Sequence, residues 1–121
     1  MKKVEIVLKR GYVYEIMLRF ESNIAEPQRK MGVCLQDQEI CEEWDHCNFA
    51  RSHSFKDNKR PLLHSWNVFV SPEESQSEFG IKIICNEIYS VEKNNILREA
   101  YKLPHEKIKE MDRKLLVALG L

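Results

Sequence analysis

The clearest periodic signal in the chain comes last. From Pro104 onward, Ile108, Met111, Leu115 and Leu119 recur at three- and four-residue intervals, with Lys107, Glu110 and Lys114 between them. Residues so spaced share one face of an α-helix, so the pattern predicts an amphipathic helix whose apolar stripe closes over a core. Pro104 suits the first helical position, where a missing N–H has no partner to lose, and Gly120 suits the C-terminal cap. Burying four such side chains is worth roughly 1.5–3 kcal/mol each before ordering costs. The periodic stretches upstream repeat in twos instead, and that contrast bounds the fold.

Val4, Ile6 and Leu8 alternate with charged neighbours, and Val13, Ile16 and Leu18 follow. Alternation of this kind marks a half-buried strand, and Gly11 between the two halves marks a turn or bulge. Residues 21–28 read as a loop. Met31-Gly32-Val33-Cys34-Leu35 is a short apolar run that predicts a buried central strand. Trp66, Val68 and Val70 alternate until Ser71-Pro72 stops them, and residues 73–80 read as a turn ended by Gly80. Residues 81–91 read as a strand or strand pair burying Ile83, Cys85 and Ile88. Residues 36–61 show no such order: acidic side chains crowd Asp37 to Asp45, basic and polar ones crowd Arg51 to Arg60. A long loop with one strand near Phe49 is the reading there. The sum is a mostly β (α+β) chain, a small SH3-like barrel of bent antiparallel strands with a C-terminal α-helix.

A length of 121 residues supports one domain, spanning 1–121, with one real core. Nineteen basic residues balance nineteen acidic ones, which argues against nonspecific coating of nucleic acid but leaves room for a local basic groove. No stretch approaches the roughly 20 apolar residues that span a bilayer. Glu5, Lys9 and Arg10 interrupt any signal-peptide core, so a cytoplasmic protein without membrane association is expected. Four cysteines (Cys34, Cys41, Cys47, Cys85) are too few and too irregular for a disulfide framework, and a cytosol would keep them reduced. Cys34 and Cys85 lie in apolar runs and read as small buried hydrophobes. Cys41, His46, Cys47 and His53 form the one metal-like grouping, but no Cys-x2-Cys pair occurs. No metal and no cofactor is therefore expected.

The stretch from Gly80 to Leu121 resembles the C-terminal third of the MazF/PemK toxin family. Cys85-Asn86-Glu87-Ile88 and Ser90-Val91-Glu92-Lys93 stand where that family shows a Cys or Leu, an acidic residue, Gln, Ile and then Thr-Ile-Asp-Lys. Leu97 and Leu103 follow, then a helix with Glu106, Met111, Asp112 and Leu115 and the tail Ala118-Leu119-Gly120-Leu121. Lys9-Arg10-Gly11 with Val13, Tyr14 and Leu18 is similar to the family opening Arg-Gly-Asp-Ile-Tyr and a later Leu. Lys30 to Gln36 resembles the Arg-Pro-Val-Leu-Val-Val-Gln strand, and Trp66 to Val70 stand where a Pro-Thr-x-Val-x-Leu strand is usual. These segments cover about two thirds of the chain in the family's order.

The resemblance implies an SH3-like barrel, a homodimer, a cognate antitoxin with an acidic disordered tail, and sequence-selective cleavage of single-stranded RNA. In this family the ribose 2′-OH attacks the adjacent phosphorus, so no metal is needed. Such chemistry wants a base near the 2′-OH, an acid near the leaving oxygen and fixed positive charge at the phosphorus. The family's catalytic Arg falls at Arg29 or Lys30 and its Ser or Thr at Ser52, with His53 beside it as an acid or base. Arg51, Lys56 and Trp66 are the RNA-binding candidates. The sequence departs from the family at Lys30-Met31 in place of Arg-Pro, at Tyr12 in place of Asp, and at Ile81 or Lys82 in place of a Ser. Each candidate also has a plainer reading. Arg29 and Lys30 suit solvated charges at a strand start, His53 a surface loop, and Trp66 the core beside Val68. The rival functions are a non-catalytic relative that binds RNA or protein on the same barrel, and an unrelated SH3-like interaction module.

Overall fold

The computed structural model describes residues 6–18, 26–55 and 64–121. In chain order its elements are β1 (Tyr12–Leu18), β2 (Gln28–Cys34), α1 (Gln38–Glu43), β3 (His46–Ser54), β4 (Asn67–Val70), α2 (Pro72–Ser75), β5 (Ile81–Glu92), β6 (Ile96–Lys102) and α3 (His105–Leu119). The strands form one antiparallel sheet in the order β4-β5-β3-β2-β1-β6. The mostly β expectation with a C-terminal helix is met. Among the described residues the ladder ends at β4 and β6, so the sheet is not closed by hydrogen bonds into a barrel.

Both faces of the sheet are buried. On one, Val33, Ala50, Val68, Ile83 and Leu103 pack under Met111 of α3. On the other, Tyr14, Ile16, Cys34, Phe49 and Val91 pack with Leu8 and with Cys41 of α1. The alternation of Val13 and Tyr14, one to each side, is what a strand does with successive side chains. β2 is central, as the apolar run predicts, lying between β1 and β3.

Gly11 seats the helix. Its φ of +83° is a backbone conformation that glycine adopts without steric penalty, and a Cβ there would lie 2.5 Å from Ile108 Cδ1. Its N–H donates to the Cys34 carbonyl at 2.9 Å, and its own carbonyl accepts from Leu103 N–H at 3.0 Å. One turn thus ties β2, β1 and the approach to α3. The helix begins at His105, one residue later than the sequence pattern predicts, and ends at Gly120 in the left-handed conformation. Its stripe is buried unevenly. Met111 is fully buried and Ile108 and Leu115 are half-buried, but Leu119 is 60% exposed.

Other expectations change as well. Residues 6–9 form no strand, although Leu8 is buried. In the 36–61 segment the expected strand near Phe49 is the nine-residue β3, and α1 stands where only loop was expected. Cys41 and Cys47 are paired as a disulfide, against the expectation of four reduced cysteines. α1 turns the chain back within six residues and brings their Cα atoms to 5.7 Å, inside the range a disulfide requires. α2 occupies part of the 73–80 turn, started by a capping box between Ser71 and Glu74. In β5 the pairing with β3 skips from Ile84 to Ile88, and Ile88, expected in the core, is 37% exposed. β6 carries no clean alternation and was not legible as a strand.

Met111→Ala is expected to lower the unfolding free energy by about 2–5 kcal/mol, and Leu119→Ala by under about 0.5 kcal/mol, in urea titrations. Equal losses would contradict the uneven burial. Tyr14 adds a pH dependence. Burial pushes its phenol from the ordinary 10.0 to about 12, and Tyr101 is raised to about 12 by the same cause. The unfolded chain releases these protons first, so their contribution is complete below about pH 10 and is lost as pH rises through about 12. Unfolding midpoints are expected to fall across that window, and less steeply in Tyr14→Phe.

Candidate nucleic-acid interface

The β3 register decides which candidate side chains meet. Ser52 is opposite Met31 on β2 and Ile83 on β5, on the face that α3 covers. His53 is opposite Lys82 and points the other way. Ser52 and His53 are neighbours in sequence and on opposite sides of the sheet, so the pairing of the two as one catalytic unit is not formed. Ser52 is buried, and its hydroxyl donates to the Met31 carbonyl at 3.2 Å. It holds β3 to β2.

Arg29 and Lys30 divide in the same way. Arg29 is on the Met31 side, where its Nε donates to Glu15 Oε1 at 3.0 Å. Arg98 of β6 reaches the same carboxylate, with Nη2 to Oε2 at 2.9 Å and Nε to Oε2 at 3.0 Å. Glu15 is the buried member, its side chain 11% exposed against 69% and 61% for the two arginines. Lys30 is opposite Ile16, on the other face. Continuing the β2–β3 register by one residue places Lys30 beside His53.

A transverse row results. Phe69 of β4 is opposite Lys82 of β5, Lys82 is opposite His53 of β3, and His53 adjoins Lys30 of β2. Arg51 points to the same face one row further in, and its Nη1 lies 3.2 Å from Glu87 Oε2. The row thus gathers two lysines, an imidazole and an arginine on three adjacent strands, with an aromatic ring at its edge. Phe69 is 38% exposed and stacks on Phe55 with ring centroids 5.8 Å apart.

Trp66 is not in this row. It precedes β4 in the phase of Val68 and stacks face to face on His64, with centroids 4.6 Å apart. Lys56 lies outside the described residues. Phe69 and Lys82 were missed by the sequence reading. Phe69 lies off phase between the buried Val68 and Val70, and that off-phase position is the signal that could have found it. The grouping of Cys41, His46, Cys47 and His53 does not assemble: His46 Nε2 faces Glu92 at 3.6 Å, whereas Cys34 joins the two cysteines.

No protein-family model and no curated protein sequence matches the chain. Solved structures do. An endoribonuclease from Mycobacterial species matches with a TM-score of 0.72 at 15% identity, over 98% of this chain and 97% of that one. A crystal structure of MazF from Deinococcus radiodurans matches with a TM-score of 0.76 at 14% identity, over 96% and 99%. A mycobacterial endoribonuclease in complex with its cognate antitoxin matches with a TM-score of 0.71 at 15% identity, over 93% and 95%. The chain has the MazF-type toxin fold. Near-complete coverage in both directions means the MazF-type fold accounts for β1 through α3, including the middle region that the sequence left unordered. Among the described residues, no helix of this MazF-type chain is long and apolar enough to cross a membrane.

Glu15 gives the arginines a role that can be measured. Removing both (Arg29→Ala with Arg98→Ala) strands a buried carboxylate. The expected loss is about 1–3 kcal/mol, below the full buried-pair figure because both guanidiniums are largely in water. Glu15→Gln is expected to lose less than about 1 kcal/mol, because it removes the charge that needed partners. Urea titration of both variants checks the ordering, and the reverse ordering would remove Glu15 from the centre of the cluster.

Proposed function

We propose that this MazF-type chain is an endoribonuclease toxin that cuts single-stranded RNA selectively and without a metal, using the Lys30–His53–Lys82 row. The observation that carries the reading is the convergence of Lys30, Arg51, His53 and Lys82 on one sheet face of a fold shared with endoribonucleases. The 2′-OH attacks the adjacent phosphorus and the 5′ oxygen leaves, producing a cyclic phosphate. His53 moves the proton, since imidazole titrates near neutrality. Lys30 and Arg51 hold the phosphate charge, Arg51 by exchanging Glu87 for a phosphate oxygen. Phe69 offers a ring against which a splayed base stacks, worth about 1–3 kcal/mol.

Arg29 and Ser52 enter this proposal as supports. Arg29 is engaged by Glu15, and Ser52 by the β2 backbone. A cognate antitoxin with an acidic segment suits the basic row, and one structure similar to this chain is of an endoribonuclease in complex with its cognate antitoxin. A homodimer and a cytoplasmic site of action belong to the same reading. The second reading, a non-catalytic binder, draws on Lys30 standing where a forked guanidinium would serve better.

The test is incubation of the protein with a mixed-sequence RNA in EDTA, followed by mapping of cut sites and end chemistry. Specific cuts with cyclic phosphate ends are expected from the wild type. Lys30→Ala and His53→Ala are expected to lower the rate at least about 100-fold, and Ser52→Ala by under about fivefold. Failure of a folded wild-type sample to cut any RNA that it binds would leave the second reading. Loss in Ser52→Ala with retention in His53→Ala would move the site to the other face.

A further inference from the structure

The second buried face holds a cluster that the RNA site does not use. Cys34 of β2, Cys41 of α1 and Cys47 at the start of β3 converge, each 2% exposed or less. Cys34 Sγ lies 3.6 Å from Cys47 Sγ and 3.9 Å from Cys41 Sγ. Three elements far apart in role thus present three sulfurs within 4.8 Å of one another. Disulfide pairing of Cys41 and Cys47 uses two of them and leaves Cys34 unexplained.

The placement of Cys34 separates two uses. Attack on a disulfide requires the incoming thiolate to approach along the S–S axis, much nearer to one sulfur than to the other. Cys34 is almost equidistant from the pair and faces the bond from its side. That geometry suits a common centre. Sulfurs bound to zinc at about 2.3 Å in a tetrahedron stand ~3.8 Å apart, which brackets well with the observed 3.6 and 3.9 Å. The Gln36 carbonyl oxygen lies 3.4 Å from Cys34 Sγ and 3.6 Å from Cys41 Sγ. An oxygen ligand at about 2.1 Å would stand ~3.6 Å from each sulfur.

We propose that Cys34, Cys41 and Cys47, with the Cys41–Cys47 bond reduced, form a buried three-thiolate site for a thiophilic divalent cation of the zinc class. The Gln36 carbonyl is the oxygen placed to complete the tetrahedron. Thiols of the cellular pool supply two electrons and two protons to the disulfide, giving two cysteine thiols and one external disulfide. The cation then displaces one proton from each of the three thiols. A dication with three thiolates carries one net negative charge; Arg10, whose Nε donates to the carbonyl of Leu35 next to Cys34 at 3.0 Å and whose Nη2 pairs with Asp112, is a nearby positive group. Binding would clamp β2, α1 and β3 together, on the sheet face and the two strands that also carry Lys30 and His53. The proposal stands independently of RNA cleavage.

The test is cobalt(II) titration of the fully reduced protein without oxygen, followed by zinc competition. Near-ultraviolet thiolate-to-cobalt charge-transfer bands and tetrahedral visible bands are expected, at one ion per chain, and zinc should abolish them. Cys34→Ser is expected to lose about a third of the charge-transfer intensity and to bind at least about tenfold more weakly. Cys85→Ser, in the other core, should match the wild type. Because core serines can disturb folding, the thermal midpoint of the reduced wild type is followed as well, and zinc should raise it. A reduced, folded wild type that shows no cobalt–thiolate band and no zinc-induced rise overturns the proposal. So does a Cys34→Ser variant that binds as the wild type does.

Discussion

The ladder between β3 and β5 is the constraint on which the molecule depends. It pairs nine residues of β3 with β5 and sits at the middle of a sheet buried on both sides. Because strand side chains alternate, a slip of one residue would send Phe49 into the α3 side and Ala50 into the other, overfilling one core and emptying its opposite. Apolar packing on two faces therefore locks the register more firmly than packing on one face would. The same lock assigns Arg51 and His53 to one surface and Ser52 to the other.

Charge is distributed in keeping with that division. On the α3 side, the buried Glu15 is held by Arg29 and Arg98, so positive charge there is spent on a carboxylate. On the far side, Lys30, His53 and Lys82 lie along one row, and Arg51 beside them pairs with Glu87. A chain with zero formal net charge can still group cations on one sheet face, because register decides which side chains share a face. Net charge alone carries no information about this.

What the sequence made legible depended on period. The helix and the Val68–Val70 strand were readable because burial on one consistent face leaves a repeating pattern, and β2 because burial on both faces leaves an unbroken apolar run. β3 was legible only as a strand near Phe49, without its nine-residue extent. Both of its faces are buried in part, and its small and polar residues (Asn48, Ala50, Ser52) pack or bond in the interior without looking apolar. α1 was hidden among acidic side chains that face water, with Cys41 alone turned inward. The resemblance to MazF/PemK toxins, read from ordered segments at the two ends, reached the right fold where propensity in the middle had no signal.

The candidate site followed the same line. Sequence proximity suggested Ser52 with His53 and Arg29 with Lys30; in strands, adjacency means opposite faces. Local spacing determined that the chain would be mostly β with a closing α3, and the resemblance to MazF/PemK toxins pointed to Arg29, Lys30, Arg51 and His53 as the charged groups of interest. Only tertiary structure decided that Lys30, His53 and Lys82 form one row and that Cys34 meets Cys41 and Cys47. The physical reason is that both groupings are made across strands. Cross-strand neighbours are set by register, and register is chosen by the fit of two whole cores rather than by any local run of residues.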